Sequence, residues 1–133
     1  MSETGTRTVT DVAERLFDAI ERSDITTVEQ LFSPAVAVWK SGDDRPSGRE
    51  RSVRIIGWFV NTTVGRRYEI LDRQVFNGGF VQQHILHADG RNGASIAMRV
   101  CIVIKIGIDG LITHIDEYFD PAAIAPLLSD DRT

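Results

Sequence analysis

From Tyr68 to Tyr118 the chain reads as four strand-like runs: Tyr68 to Phe76, Phe80 to Ala88, Ala94 to Ile106 and Leu111 to Tyr118. Only the Gly-rich turns Asn77-Gly78-Gly79, Asp89-Gly90-Arg91-Asn92-Gly93 and Asp109-Gly110 separate them. Turns this short make consecutive strands antiparallel neighbours, since a parallel pair needs a long crossover. In the third run Ile96, Met98, Val100, Ile102, Ile104 and Ile106 share one face, and Ser95, Arg99 and Lys105 decorate the other. One face of the sheet is therefore core. The first half of the chain has the helical period instead. Thr8 or Thr10 can cap a helix with the apolar face Val12, Ala13, Leu16, Phe17 and Ile20, and Asp24 can cap a second bearing Val28, Leu31 and Phe32, closed by Ser33-Pro34. Val36 to Lys40 is a short strand, with Val36, Val38 and Lys40 on one side. Ser47-Gly48-Arg49-Glu50 has capping-box spacing and opens a third helix through Ile55, Ile56, Phe59 and Val60, which Gly65 would end. Helices first and a bent meander afterwards predict an α+β domain: a cone-shaped curved antiparallel sheet closed by three N-terminal helices and enclosing a pocket.

Composition narrows what such a domain does. Its 133 residues suit a single domain, 1–133, able to bury a core without disulfides or metals, between disordered ends. The single cysteine, Cys101, lies in the apolar run Val100 to Ile104 and reads as a small buried residue, which suits a reducing cytoplasm. Residues Met1 to Arg7 lack an apolar secretory core, and no run approaches the roughly 20 apolar residues that cross a bilayer. The expectation is a soluble, cytoplasmic protein without a membrane partner. A net charge of −4 leaves no basic excess for phosphates, and the one basic cluster, Arg45 to Arg54, alternates with acids, so nucleic acid is not an expected partner. His84, His87 and His114 lack companions at metal-ligand spacing, so no metal is expected. The glycine turns sit between strands, not at a helix N-terminus, so no nucleotide cofactor is expected either. Cys101 lies mid-strand and no serine occupies an elbow, which argues against a nucleophile.

The last strand carries the candidate chemistry. In Leu111 to Asp120, alternation puts Thr113, Ile115, Glu117 and Phe119 on one face. A carboxylate between Ile115 and Phe119 on a core-facing side is paired, raised in pKa or functional, unless the strand end is already wet. His114 and Asp116 fall on the opposite, outer face, suited to packing or dimer contacts.

The order of elements and the closing Asp116-Glu117-Tyr118-Phe119-Asp120-Pro121 resemble the nuclear transport factor 2-like superfamily over residues 8 to 128. That superfamily includes ketosteroid isomerases, limonene epoxide hydrolase, SnoaL-like polyketide cyclases and phenazine-biosynthesis proteins. The resemblance implies a cofactor-free conical scaffold whose reaction is set by its pocket residues. The isomerases' base, oxyanion-binding tyrosine and protonated aspartate match Lys40, Leu16 and Ile102, which argues against that reaction. Limonene epoxide hydrolase is similar at the last strand, where Glu117 matches its water-activating acid. Its arginine and second aspartate match Ile85 and His87, and its pocket asparagine matches Lys40. The phenazine-biosynthesis proteins' Glu-Tyr-x-Asn-Pro ending resembles Glu117-Tyr118-Phe119-Asp120-Pro121, and the SnoaL-like cyclases pair an acid with a histidine.

The resemblance thus implies cofactor-independent acid and base catalysis on a small, largely apolar metabolite, by epoxide opening, cyclisation or isomerisation. Glu117 would be the base or acid, His87 its partner and Lys40 a polariser of developing oxyanion charge. Leu16, Gln83, Ile85, Met98, Val100, Ile102, Ile115 and Phe119 would line the pocket, with Trp58 in the core or at its rim. Two alternatives stay open. A one-residue bulge that shifts the register would turn His84 and Gln82 inward and Gln83 and His87 outward, and in the other reading of Lys40 its side chain simply snorkels into the polar loop Ser41 to Pro46. A homodimer through the outer face bearing Arg99, Lys105 and His114 is expected. The other functional class is a ligand-binding or assembly module that kept the cone and lost the chemistry.

Overall fold

A computed structural model of the chain describes residues 3–128; the expectation of disordered ends falls on residues 1–2 and 129–133, outside those described. Two helices come first, α1 (Glu3–Glu21) and α2 (Ile25–Leu31), followed by strand β1 (Phe32–Lys40) and helix α3 (Arg49–Thr62). Four strands then run without interruption by helix: β2 (Thr63–Phe76), β3 (Gly79–Gly90), β4 (Ser95–Ile106) and β5 (Ile112–Tyr118). A short 3-10 helix, Pro121–Leu128, closes the described chain.

The helices follow their apolar faces more closely than their expected caps. Helix α1 buries Val9, Val12, Ala13, Leu16, Phe17 and Ile20, but its hydrogen bonding starts at Glu3, so neither Thr8 nor Thr10 is its first cap. Asp24 does cap α2: its carboxylate accepts from the Thr27 N–H at 3.1 Å and the Thr27 hydroxyl at 2.6 Å. Phe32 is already the first residue of β1, so Ser33-Pro34 lies inside a strand instead of closing a helix. Proline is tolerated there because β1 is an edge strand with a free side. The capping box at Ser47 does not form. The Ser47 backbone instead exchanges two hydrogen bonds with Val38, at 2.7 and 2.9 Å, which leaves Gly48 as the α3 N-cap without a side-chain bond. At its other end α3 stops at Thr62 and β2 starts at Thr63, so Gly65 is a strand residue, not a helix stop.

The five strands form one sheet in the order β1-β5-β4-β3-β2. Neighbours from β2 through β5 are antiparallel, as their short turns require, whereas β1 joins the edge parallel to β5. A parallel pairing is available to β1 because α3 and the whole meander lie between it and β5. Extra residues bend the sheet. Val64 and Leu71 are unpaired in β2 opposite β3, and Thr113 is unpaired in β5 opposite β4. The last bulge puts Ile112 and Ile115, and not Thr113, in the core. On the concave face all six apolar positions of β4 from Ile96 to Ile106 are buried, while Ser95, Arg99 and Lys105 stay exposed. The helices pack over this face, and the curvature leaves space between them and the sheet.

Candidate active site

The space between sheet and helices is a cavity of about 400 Å³. Leu16, Phe17 and Ile20 of α1, Ile55, Ile56, Trp58 and Phe59 of α3, and Leu86, Met98, Ile102 and Ile115 of the sheet give it an apolar wall. The exposed residues among its lining, Trp58, Pro121 and Leu128, mark where it reaches solvent between α3 and the C-terminal 3-10 helix.

Sheet register decides which polar groups enter. Lys40 pairs with Glu117, and Glu117 with Ile102, so these three form one row across β1, β5 and β4 on the concave face. All three line the cavity. Among the described residues, nothing donates a hydrogen bond to the Glu117 carboxylate. Its main-chain carbonyl is held instead, accepting from the Ser41 N–H at 2.9 Å, while the Ser41 hydroxyl accepts from the Phe119 N–H at 3.1 Å. The strand end is thus tied to the following loop while the carboxylate is left to the cavity. Burial pushes this carboxyl from its ordinary 4.5 up to about 7; the nearby Lys40 charge opposes the shift and Asp43 adds to it.

Lys40 lines the cavity beside Glu117, while its ammonium reaches into the loop and donates to both Asp43 carboxylate oxygens at 3.0 Å. Asp43 is held in turn by its carbonyl accepting from the Trp39 indole N–H at 2.9 Å.

The expected partner, His87, is not in the cavity. Strand β3 pairs with β4 without a break, matching His84 to Val100, Leu86 to Met98 and Ala88 to Ile96, so its even-numbered residues face inward. Gln83, Ile85 and His87 consequently lie on the outer face, where His87 Nε2 meets Glu69 Oε1 at 2.8 Å. This is the inward-His84 alternative, reached through the phase of β3 and not through a bulge in it. Leu16, Trp58, Met98, Ile102, Ile115 and Phe119 line the cavity; Val100 is buried on the same face but pairs with His84 in the packed core.

His84 and Gln82 form a sealed polar chain. The Arg73 Nε–H donates to Gln82 Oε1 at 2.7 Å, which orients the amide so that its Nε2–H donates to His84 Nδ1 at 2.8 Å. His84 is therefore the Nε2–H tautomer, and that nitrogen is buried without a partner among the described residues. Desolvation, helped by the Arg73 charge, drives the imidazole down to about 4. The ring stands edge-on to Phe17, centroids 5.5 Å apart, and to Tyr68 at 5.0 Å.

Tyr68 is a cavity residue that sequence reasoning missed. It lies on β2 opposite Leu86, and its ring also packs edge-on against Phe17 at 4.8 Å. The signal was the polar-aromatic-polar run Arg67-Tyr68-Glu69, which turns Tyr68 inward.

The SnoaL-like domain profile matches residues 13–115. The chain belongs to the SnoaL-like domain family. The match ends two residues before Glu117, so the family relation itself assigns that residue no role. A LEH-like epoxide hydrolase from M. tuberculosis superposes with a TM-score of 0.76 at 20% identity, covering 92% of this chain and 91% of that one. A nuclear transport factor 2-like protein from Anabaena variabilis gives 0.79 at 12% identity, covering 92% and 95%. PrhC from Penicillium brasilianum gives 0.81 at 15% identity, covering 93% and 87%. At such identities the likeness establishes the SnoaL-like, nuclear transport factor 2-like fold. A comparison with curated proteins by sequence finds no match. Among the described residues no helix is long and apolar enough to cross a membrane.

Proposed function

We propose that this protein is a cofactor-independent acid and base enzyme for a small, largely apolar metabolite, with Glu117 as the group that takes and returns the proton. The observation that carries the reading is a carboxylate raised to about 7 in a largely apolar cavity whose described lining includes no other acid. Near neutral pH both of its protonation states are populated, which is what a residue acting as base in one step and acid in the next requires. A general acid or base of this kind contributes to epoxide opening, cyclisation or isomerisation, and structural neighbours include an epoxide hydrolase. In this reading the Lys40–Asp43 pair sets the local field instead of touching the reacting atoms, and His87 has no part.

The competing class, a small-ligand-binding or dimeric assembly module, gains from the loss of His87, since Glu117 then lacks the expected partner. A panel of small epoxides and enolisable ketones, incubated with wild type and Glu117→Gln, separates the two. An enzyme turns over at least one compound, and the variant binds it without turnover; a binding module binds in both forms and turns over in neither. A cytoplasmic homodimer through the exposed Arg99, Lys105 and His114 belongs to the same reading, and sedimentation of the purified chain tests the dimer.

A further inference from the structure

Helix α3 turns a polar residue into the cavity at the head of an apolar stripe. Ser52, Ile55, Ile56 and Phe59 follow the i, i+3, i+4, i+7 spacing of one helix face, and all four line the cavity. Ser52 is only 3% exposed. Its hydroxyl reaches the Ser47 carbonyl at 3.5 Å, beyond the roughly 2.5–3.0 Å of a well-formed O–H···O bond. A buried hydroxyl held this loosely is costly where alanine would pack as well, and it is free to rotate to a better partner. Ser47 stands beside it. The Ser47 and Val38 backbones exchange two hydrogen bonds, and residues directly opposite in an antiparallel pair point to one side, so the Ser47 side chain shares the concave face with Val38; both line the cavity.

The two serines are set apart from Glu117. Val38 pairs with Ser47 on one side and Ile115 on the other, and the next row of the same face is Lys40, Glu117 and Ile102. Two strand spacings and one two-residue step put Ser47 and Glu117 roughly 11–12 Å apart between Cα atoms, with Val38 and Ile115 as an apolar floor between them. Lys40 and Ser41, which also line the cavity, are engaged by Asp43 and by the main chain of Glu117 and Phe119.

We propose that Ser52, with Ser47 beside it, anchors a second oxygen of the ligand, which is therefore an apolar ring compound with oxygen functions at both ends: the reacting one at Glu117 and a hydroxyl or carbonyl at the serines. This inference rests on the reading of the cavity as the site of an acid and base enzyme, and names the class of its substrate. Either oxygen function suits the pair, since a serine hydroxyl donates one hydrogen bond and accepts others. The serines bind and orient, and no covalent step falls to them. An apolar wall alone lets a ligand slide and turn, whereas a hydrogen bond at its far end fixes which carbon lies against the Glu117 carboxyl.

The test compares 1-tetralone with 6-hydroxy-1-tetralone, whose two oxygens stand at opposite ends of a fused ring pair, by isothermal titration calorimetry. Wild type binds the hydroxylated compound more tightly. The double variant Ser47→Ala/Ser52→Ala reduces that preference about 3–10-fold, as loss of a hydrogen bond does, and its unchanged affinity for 1-tetralone reports that the cavity is intact. Glu117→Gln leaves the preference as it is. A preference absent from wild type, or one that persists in the double variant, overturns the serine anchor and leaves the reading of Glu117 standing. A preference that disappears in Glu117→Gln puts the hydroxyl at the carboxyl and overturns the anchor as well. Absence of binding of either compound to wild type overturns the reading of the cavity on which the inference rests.

Discussion

Glu117 and His84 are both ionisable groups on the concave face of one sheet, and desolvation shifts both toward the neutral form. Their fates differ. Glu117 faces open cavity with no donor on its carboxylate and is pushed up to about 7, where it exchanges a proton near neutral pH. His84 is closed in behind Phe17 and Tyr68, bonded through Gln82 to Arg73, and pushed down to about 4, where it stays neutral. Burial alone therefore does not mark a catalytic residue; what distinguishes the two is whether the group meets empty space or a fixed partner. The same contrast explains why histidine, the residue type most associated with acid and base work, is a structural element here and a glutamate is the functional candidate.

The comparison breaks most directly at turnover. Glu117→Gln is expected to lower kcat by about 10²–10⁴-fold, as removal of a general base does, while the circular dichroism spectrum and melting curve stay native-like. His84→Ala should do the reverse. It empties a packed site and leaves the Gln82 amide unbonded, costing roughly 2–4 kcal/mol in urea unfolding, with binding of a cavity ligand affected far less.

The pH dependence of stability separates the two groups by sign. The folded state holds the Glu117 proton from 4.5 up to about 7 while the unfolded chain has released it, so this group makes stability fall as pH rises through that window. His84 does the opposite: the unfolded chain takes up a proton below 6.5 and the folded state resists it down to about 4, so stability is lost as pH falls through that window. Each is worth about 3 kcal/mol at full extent. Denaturation of Glu117→Gln across pH should remove the first trend and keep the second.

Smaller effects sharpen the electrostatics. Lys40→Met removes the opposing charge and should raise the Glu117 pKa by about one unit or less, whereas Asp43→Asn should lower it by a similar amount; the pH profile of turnover or a carboxyl titration reads both. His87→Ala, which breaks only a half-exposed pair with Glu69, should change stability by about 0–1 kcal/mol and leave kcat unchanged.

What could be read from the sequence tracks how strongly one face is specified. Strand β4 alternates without a fault from Ile96 to Ile106, so its core face was legible, and Glu117 followed from Ile115 and Phe119 on the neighbouring strand. Strand β3 runs Phe-Val-Gln-Gln-His-Ile-Leu-His-Ala, with apolar residues on both phases. Only its pairing with β4 fixes which histidine turns inward, and that pairing is long-range information. Tyr68 was hidden for a related reason: the bulges at Val64 and Leu71 break the alternation of β2 on both sides of it. The grip of Asp43 on Lys40 depends on a loop conformation that residue spacing does not specify. The capping signal at Ser47 was real as a pattern, but the backbone pairing with Val38 outcompeted it.

The central claim is that Glu117 is a free, desolvated carboxyl poised near neutral pH. A carbon-13 NMR titration of glutamate side-chain carboxyls, with Glu117 assigned by its absence in Glu117→Gln, measures this without a known substrate. The account predicts one glutamate titrating near 7 in the folded protein. A Glu117 midpoint at the ordinary 4.5 would contradict it, because the residue would then be solvated or paired and unsuited to carry the proton.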